Sequence, residues 1–167
     1  MKQEVKRHYL EINTLQELKE VKKSLEEYSL ILLEPTNFQL NKFFYKNVGR
    51  KHKWIDRLVW TESQWINYVS SKKVKTYVFK HKDDFAGFFE LIFYQESKEM
   101  EIAYFGLLEE YQNKKLGSYL LSEAIQKSFN SNVNRVWLHT CSLDHKNALN
   151  NYIARGMKIF KTEIVMI

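Results

Sequence analysis

The residues whose spacing is best suited to chemistry are Gln112-Asn113-Lys114-Lys115-Leu116-Gly117-Ser118. A strand-patterned stretch from Met100 to Leu107 runs into this polar turn, and helical periodicity follows it, so the turn opens a helix. Free backbone N–H groups, the positive end of a helix dipole and two lysines then meet at one point. That combination holds a phosphate group, and a pyrophosphate is the expected occupant. A nucleotide-type phosphate loop, Gly-x-x-x-x-Gly-Lys-Ser/Thr, is absent from the chain.

Two other residues invite chemistry on their own. His139 lies on an apolar strand pattern, Val136-Trp137-Leu138-His139, and reads as a hydrogen-bonded structural residue rather than a base. Cys141 has no readable activating pair and reads as structural. No cluster has metal-ligand spacing.

The elements that position these groups can be read in order. Val5 to Ile12 forms a first strand, and Asn13 or Thr14 caps a short helix through Leu15, Leu18 and Val21. Tyr28 to Leu33 is a compact apolar strand ending at Glu34-Pro35. An aromatic segment from Phe38 to Trp65 suits two short helices. The second begins near Thr61, where Thr61-Glu62-Ser63-Gln64 matches a capping box.

Val74 to Phe79, Asp84 to Tyr94 and Met100 to Leu107 read as three consecutive strands with polar turns, an antiparallel meander. Leu116, Tyr119, Leu120, Ala124, Ile125 and Phe129 give the next helix one apolar face. Val133 to Cys141 is a strand reached through that helix and so runs parallel to its predecessor. A last helix starts at Asp144 or His145 and stops at Gly156, and Met157 to Ile167 is the terminal strand.

With 167 residues, 44% of them hydrophobic, and no repeat or linker, residues 1–167 read as a single α/β domain. One cysteine rules out an intrachain disulfide framework, and there is no signal-like or membrane-length apolar run. A cytoplasmic protein without a membrane partner is expected. The net charge of +6 is carried mostly by dispersed lysines, which describes a solvated surface and a local anion patch rather than a nucleic-acid partner.

Two motifs in fixed order, Gln112 to Gly117 and Asn147-Ala148-Leu149-x-x-Tyr152-x-x-x-Gly156-Met157, resemble the GNAT superfamily of acetyl-CoA-dependent N-acetyltransferases. The likeness covers about residues 72 to 167, and Val48 to Trp60 resembles one bacterial branch. The resemblance implies an α/β (α+β) fold, a mixed, mostly antiparallel sheet of about six or seven strands flanked by helices. A parallel, splayed strand pair lies at its cofactor site.

The resemblance also assigns roles. It places acetyl-CoA against Phe105, Gly106, Leu107, Gln112, Asn113, Lys114, Lys115, Leu116, Gly117, Ser118 and Asn147. It makes Tyr152 the general acid, with Glu101 or, second, Glu90 as general base. The acceptor is an amine, on a small molecule or a protein; the residues themselves leave two readings open, in which Tyr45, Trp54 and Trp60, with Asp56, receive it through π-face and carboxylate contacts or the aromatics pack two helices onto the sheet. A homodimer is compatible with this reading, and a non-catalytic CoA-binding module on the same scaffold is its alternative.

The chain departs from the family pattern where Lys115 replaces the first glycine of the loop. Just inside a helix start, helical φ/ψ is expected, which lysine tolerates. A positive φ would instead cost on the order of 1 kcal/mol.

Overall fold

The computed structural model describes residues 1–23 and 25–167. Seven strands form a single sheet: β1 (Glu4–Ile12), β2 (Tyr28–Leu32), β3 (Val74–His81), β4 (Asp84–Tyr94), β5 (Glu99–Leu107), β6 (Arg135–Cys141) and β7 (Lys158–Met166). Their spatial order is β2-β3-β4-β5-β6-β1-β7. Four helices cover it: α1 (Phe38–Gly49), α2 (Glu62–Val69), α3 (Leu116–Phe129) and α4 (Ala148–Ala154). The mixed, mostly antiparallel sheet agrees with the expected architecture.

Alternation along β4 assigns the two faces. Phe89 and Leu91 join the larger core with α3 residues Leu120, Leu121 and Ile125. Phe88, on the other face, stacks on Phe44 of α1 at 4.9 Å in a second cluster. Each fully buried large side chain contributes roughly 1.5–3 kcal/mol, so both faces hold their helices firmly. The capping box is present at α2, where the Thr61 hydroxyl accepts from the Gln64 N–H and Gln64 Oε1 accepts from the Thr61 N–H.

The β5–β6 pairing is parallel, as expected, but short. Glu99, Met100 and Glu101 face Arg135, Val136 and Trp137, and there the ladder stops. From Ile102 to Leu107, β5 pairs only with β4. A bulge at Ala103, between the Leu91–Ile102 and Glu90–Tyr104 pairs, turns β5 where it leaves β6. The two strands therefore splay, and the β6-facing edge of β5 has no ladder partner.

One expectation fails near the N-terminus. The helix through Leu15, Leu18 and Val21 is only a 3-10 turn at Leu15–Glu17. The Lys19 N–H donates to the Arg155 carbonyl and the Val21 N–H to the Ser122 hydroxyl. Tertiary acceptors thus take the amides that a helix would have used.

Candidate active site

A cleft of about 1050 Å³ opens at the splay. It runs from the start of α3 to the segment between α1 and α2. Its lower wall is the free half of β5, including Phe105, Gly106 and Leu107. Gly106 is required by packing: an added Cβ would lie 2.4 Å from Val48 Cγ1 on α1.

The turn before α3 is built as an anion cradle. Asn113 and Lys115 both have left-handed backbone, with φ of 61° each. Left-handed residues of this kind are the ones from which anion-binding nests are built. This corrects the expectation for Lys115. It precedes the first helical residue, at φ 61° and ψ 19°, in the conformation that glycine would adopt without strain, and it bears a cost on the order of 1 kcal/mol.

Its carbonyl accepts from Lys23 Nζ at 3.0 Å. Gln112 is a fastener: its amide Nε2 donates to the Leu107 carbonyl at 3.2 Å, fixing the turn to the end of β5. Gln112, Asn113, Lys115, Gly117, Ser118 and Asn147 all line the cleft. Leu116 is buried in the core, and Lys114 lies over the Tyr111 ring.

At Gly117 an added Cβ would meet Leu107 Cδ1 at 3.8 Å and Asn151 Nδ2 at 3.9 Å, ordinary contacts. The fold itself does not demand glycine there, and the missing side chain leaves the backbone open to the cleft. Asn151 of α4, unremarked in the sequence, donates from Nδ2 to the Gly117 carbonyl at 3.2 Å and joins the two helices.

Tyr152 is buried on α4, lines the cleft and packs edge-on to Phe105. Burial, with Asp144 nearby, pushes its pKa well above the usual tyrosine value, so the hydroxyl keeps its proton at neutral pH.

The two expected carboxylate bases are both displaced from the cleft wall. Glu90 is fully buried: Oε1 accepts from Arg57 at 2.9 Å and from the Tyr68 hydroxyl at 2.7 Å, and Oε2 accepts from Asn41 at 3.0 Å. Its lone pairs are committed to structure. Glu101 sits at the last β5–β6 pair, half-buried, accepting from the Tyr94 hydroxyl at 2.7 Å. Burial raises its pKa despite that hydrogen bond.

His139 was expected to be hydrogen-bonded within the structure, and among the described residues it is not. It projects from β6 into the cleft, open to its solvent but flanked by protein, 5.5 Å from the Tyr9 ring. Among the described residues its ring nitrogens have no hydrogen-bond partner. Desolvation and then Arg7 lower its pKa, leaving a neutral imidazole at physiological pH. Cys141 also lines the cleft, but burial raises its thiol pKa and keeps it unreactive.

The upper wall comes from residues 50–61. Tyr45, Trp54 and Asp56 line the cleft, as expected, and Tyr104 of β5 joins them. Trp60 does not. It packs on Trp65 and Tyr68 as one side of an aromatic box around Arg57, whose Cζ lies 4.1 Å from the Tyr68 centroid, 4.2 Å from Tyr104 and 4.8 Å from Trp60. Burial works against the guanidinium charge, but Glu90 and the tyrosines outweigh it and Arg57 stays ionised. The same segment is tied across the splay: His52 Nδ1 bonds to the Leu143 carbonyl at 2.9 Å, and Lys53 Nζ donates to Gln3 at 2.6 Å.

The Acetyltransferase (GNAT) family matches residues 24–157, most of the chain. The chain belongs to the GNAT acetyltransferases. Structural comparison agrees with this membership. A GCN5-related N-acetyltransferase from Sphaerobacter thermophilus superposes with a TM-score of 0.72 at 15% identity, over 97% of this chain and 50% of that one. The chain thus spans half the length of that relative.

An aminoglycoside acetyltransferase, meta-AAC0020, from an uncultured soil metagenomic sample gives 0.64 at 11% identity, over 77% of this chain and 87% of that one. A Bacillus subtilis acetyltransferase in complex with CoA gives 0.56 at 19%, over 77% and 75%. At these identities the likeness is one of fold. No curated protein sequence matches the chain.

Acetyl-CoA is the cofactor of GNAT enzymes, and the site fits it on its own terms. The cradle at Asn113 and Lys115 suits a pyrophosphate, and the open backbone at Gly117 admits close approach. The free edge of β5 offers main-chain groups to an extended amide-bearing arm.

Proposed function

We propose that this GNAT protein transfers an acetyl group directly from acetyl-CoA to a primary amine. One observation carries the reading: Tyr152 and His139 face the same cleft, and that cleft joins the anion cradle of α3 to the aromatic and acidic wall of residues 50–61. Acetyl-CoA supplies the acyl group as a thioester.

Each protein group then has a defined task. Tyr152 Oη holds a proton at neutral pH and donates it to the leaving sulfur. His139, neutral and without a competing partner, accepts the proton that the amine must lose. Asp56 draws the ammonium form into the cleft, and Tyr45, Trp54 and Tyr104 offer π faces to it. Glu101, behind the wall, is the second candidate for base, acting through water. Cys141, the only thiol in the sequence, is not acylated, because burial raises its pKa and, among the described residues, no activating base accompanies it.

The test is a panel of primary amines with acetyl-CoA, measuring release of free CoA together with calorimetric binding of CoA. Saturable binding with release on at least one amine, and intersecting double-reciprocal plots, is expected. Parallel plots would indicate an acyl-enzyme, and absence of CoA binding would end the reading.

A further inference from the structure

Arg7 stands out among the groups that the proposed transfer leaves without a task. It lies on β1 and lines the cleft. Across the ladder Tyr9 faces His139 and Arg7 faces Cys141, so Arg7 and His139 are diagonal neighbours on one face of the sheet. Such neighbours are about 7–8 Å apart.

Arg7 Nε is closed off from solvent and has no hydrogen-bond partner, and the guanidinium makes no ion pair among the described residues. The acids around it are engaged elsewhere. Glu163 accepts from the Tyr9 hydroxyl at 2.7 Å and pairs with Lys161 at 3.3 Å. Asp144 accepts from the Thr140 hydroxyl and from the Cys141 N–H. The two terminal nitrogens are not closed off and also lack a protein partner among the described residues, so the outer edge of the guanidinium leaves two parallel donors suited to a planar anion.

We propose that the acceptor carries a carboxylate a few bonds from its amine, as a free amino acid does. Arg7 binds the carboxylate, which sets the amine at His139. This rests on the N-acetyl transfer proposed above and specifies its acceptor class. The two side chains rise from neighbouring positions on one face of the sheet and line the same cleft, so one small molecule can meet both. Asp56 and the π faces on the opposite wall receive the ammonium and side chain. The same guanidinium repels an acceptor that is only cationic, so a polyamine or aminoglycoside is disfavoured.

Two measurements test it. In the first, free amino acids are compared with their carboxamides and with an aminoglycoside, by CoA release. A preference of at least about tenfold in kcat/KM for the carboxylates is expected, residing mainly in KM and lost in Arg7→Gln.

In the second, the CoA-loaded protein is titrated calorimetrically with N-acetylated amino acids and their carboxamides, a readout without turnover. Carboxylates bind at least about tenfold more tightly to the wild type, and Arg7→Gln removes the difference. Carboxamides or simple amines that react as fast overturn the carboxylate site while leaving acetyl transfer standing. Carboxylate-selective binding without turnover on any amine keeps the site and removes the transfer. Absence of selectivity in both experiments overturns the proposal, and the wild-type comparison decides it even if Arg7→Gln fails to fold.

Discussion

The two walls of the cleft are built on different principles. The wall proposed for the cofactor is main chain: the unpaired edge of β5, the left-handed residues Asn113 and Lys115, and the amides opening α3. The wall proposed for the acceptor is side chain: Tyr45, Trp54 and Asp56, with their segment held in place by Arg57 in an aromatic box against Glu90. A backbone wall tolerates side-chain change but not a shift of the chain. A side-chain wall can be re-specified residue by residue, provided that the buried latch beneath it stays intact. On the proposed reading, cofactor use is tied to the fold, and acceptor choice to a replaceable lining.

The largest effect that separates the walls is expected at the latch. Arg57→Met leaves Glu90 buried without its cation and should cost about 3–5 kcal/mol of unfolding free energy. Chemical denaturation measures it, and a loss under 1 kcal/mol would mean that the latch is not structural. Gly117→Glu is expected to weaken CoA at least about 100-fold, roughly 2.7 kcal/mol, at nearly unchanged stability. Calorimetry and a melting curve check the pair together, and unaltered CoA affinity would move the pyrophosphate elsewhere.

Tyr152→Phe should lower kcat by about a hundredfold, the lower end for general acid catalysis, with CoA affinity kept. Equal turnover removes the acid role. The pH profile comes next. Because the His139 pKa is lowered below 6.5, activity should be level above that pH and fall below it as the imidazole protonates. His139→Gln should abolish that limb, whereas a limb that persists in this variant and vanishes in Glu101→Gln transfers the base to Glu101. The smallest effect is at Lys115→Gly, where relief of the left-handed conformation should add about 0.5–1 kcal/mol of stability.

Much of this division was legible in the sequence, for reasons that differ by wall. Local chemistry could be read directly: the Thr61–Gln64 box, the alternation of β3, β4 and β5, and the strand-turn-helix around Gln112 depend on neighbours within a few residues. Glu90 could not be placed, since alternation gives a face but not the partner, and Arg57 lies 33 positions away.

The place of His139 on the cleft could not be read, because an apolar strand pattern leaves open whether that face of the sheet is packed or borders a cleft. The short helix after Asn13 was overruled by acceptors on α3 and beyond α4, far off in the chain. At Lys115 the residue type argued for ordinary helical backbone, and the geometry of the turn prevailed over it.

The three-residue contact between β5 and β6 also has mechanical meaning. It divides the sheet into a four-stranded part, β2 to β5, and a three-stranded part, β6-β1-β7, joined edge to edge by Glu99–Glu101 against Arg135–Trp137. On the proposed reading, an extended ligand arm in the splay would continue that seam beyond Glu101 and splint the two parts. Hydrogen exchange in β6, β1 and β7 should then slow together when CoA binds, because a ligand in the splay bridges the two parts of the sheet.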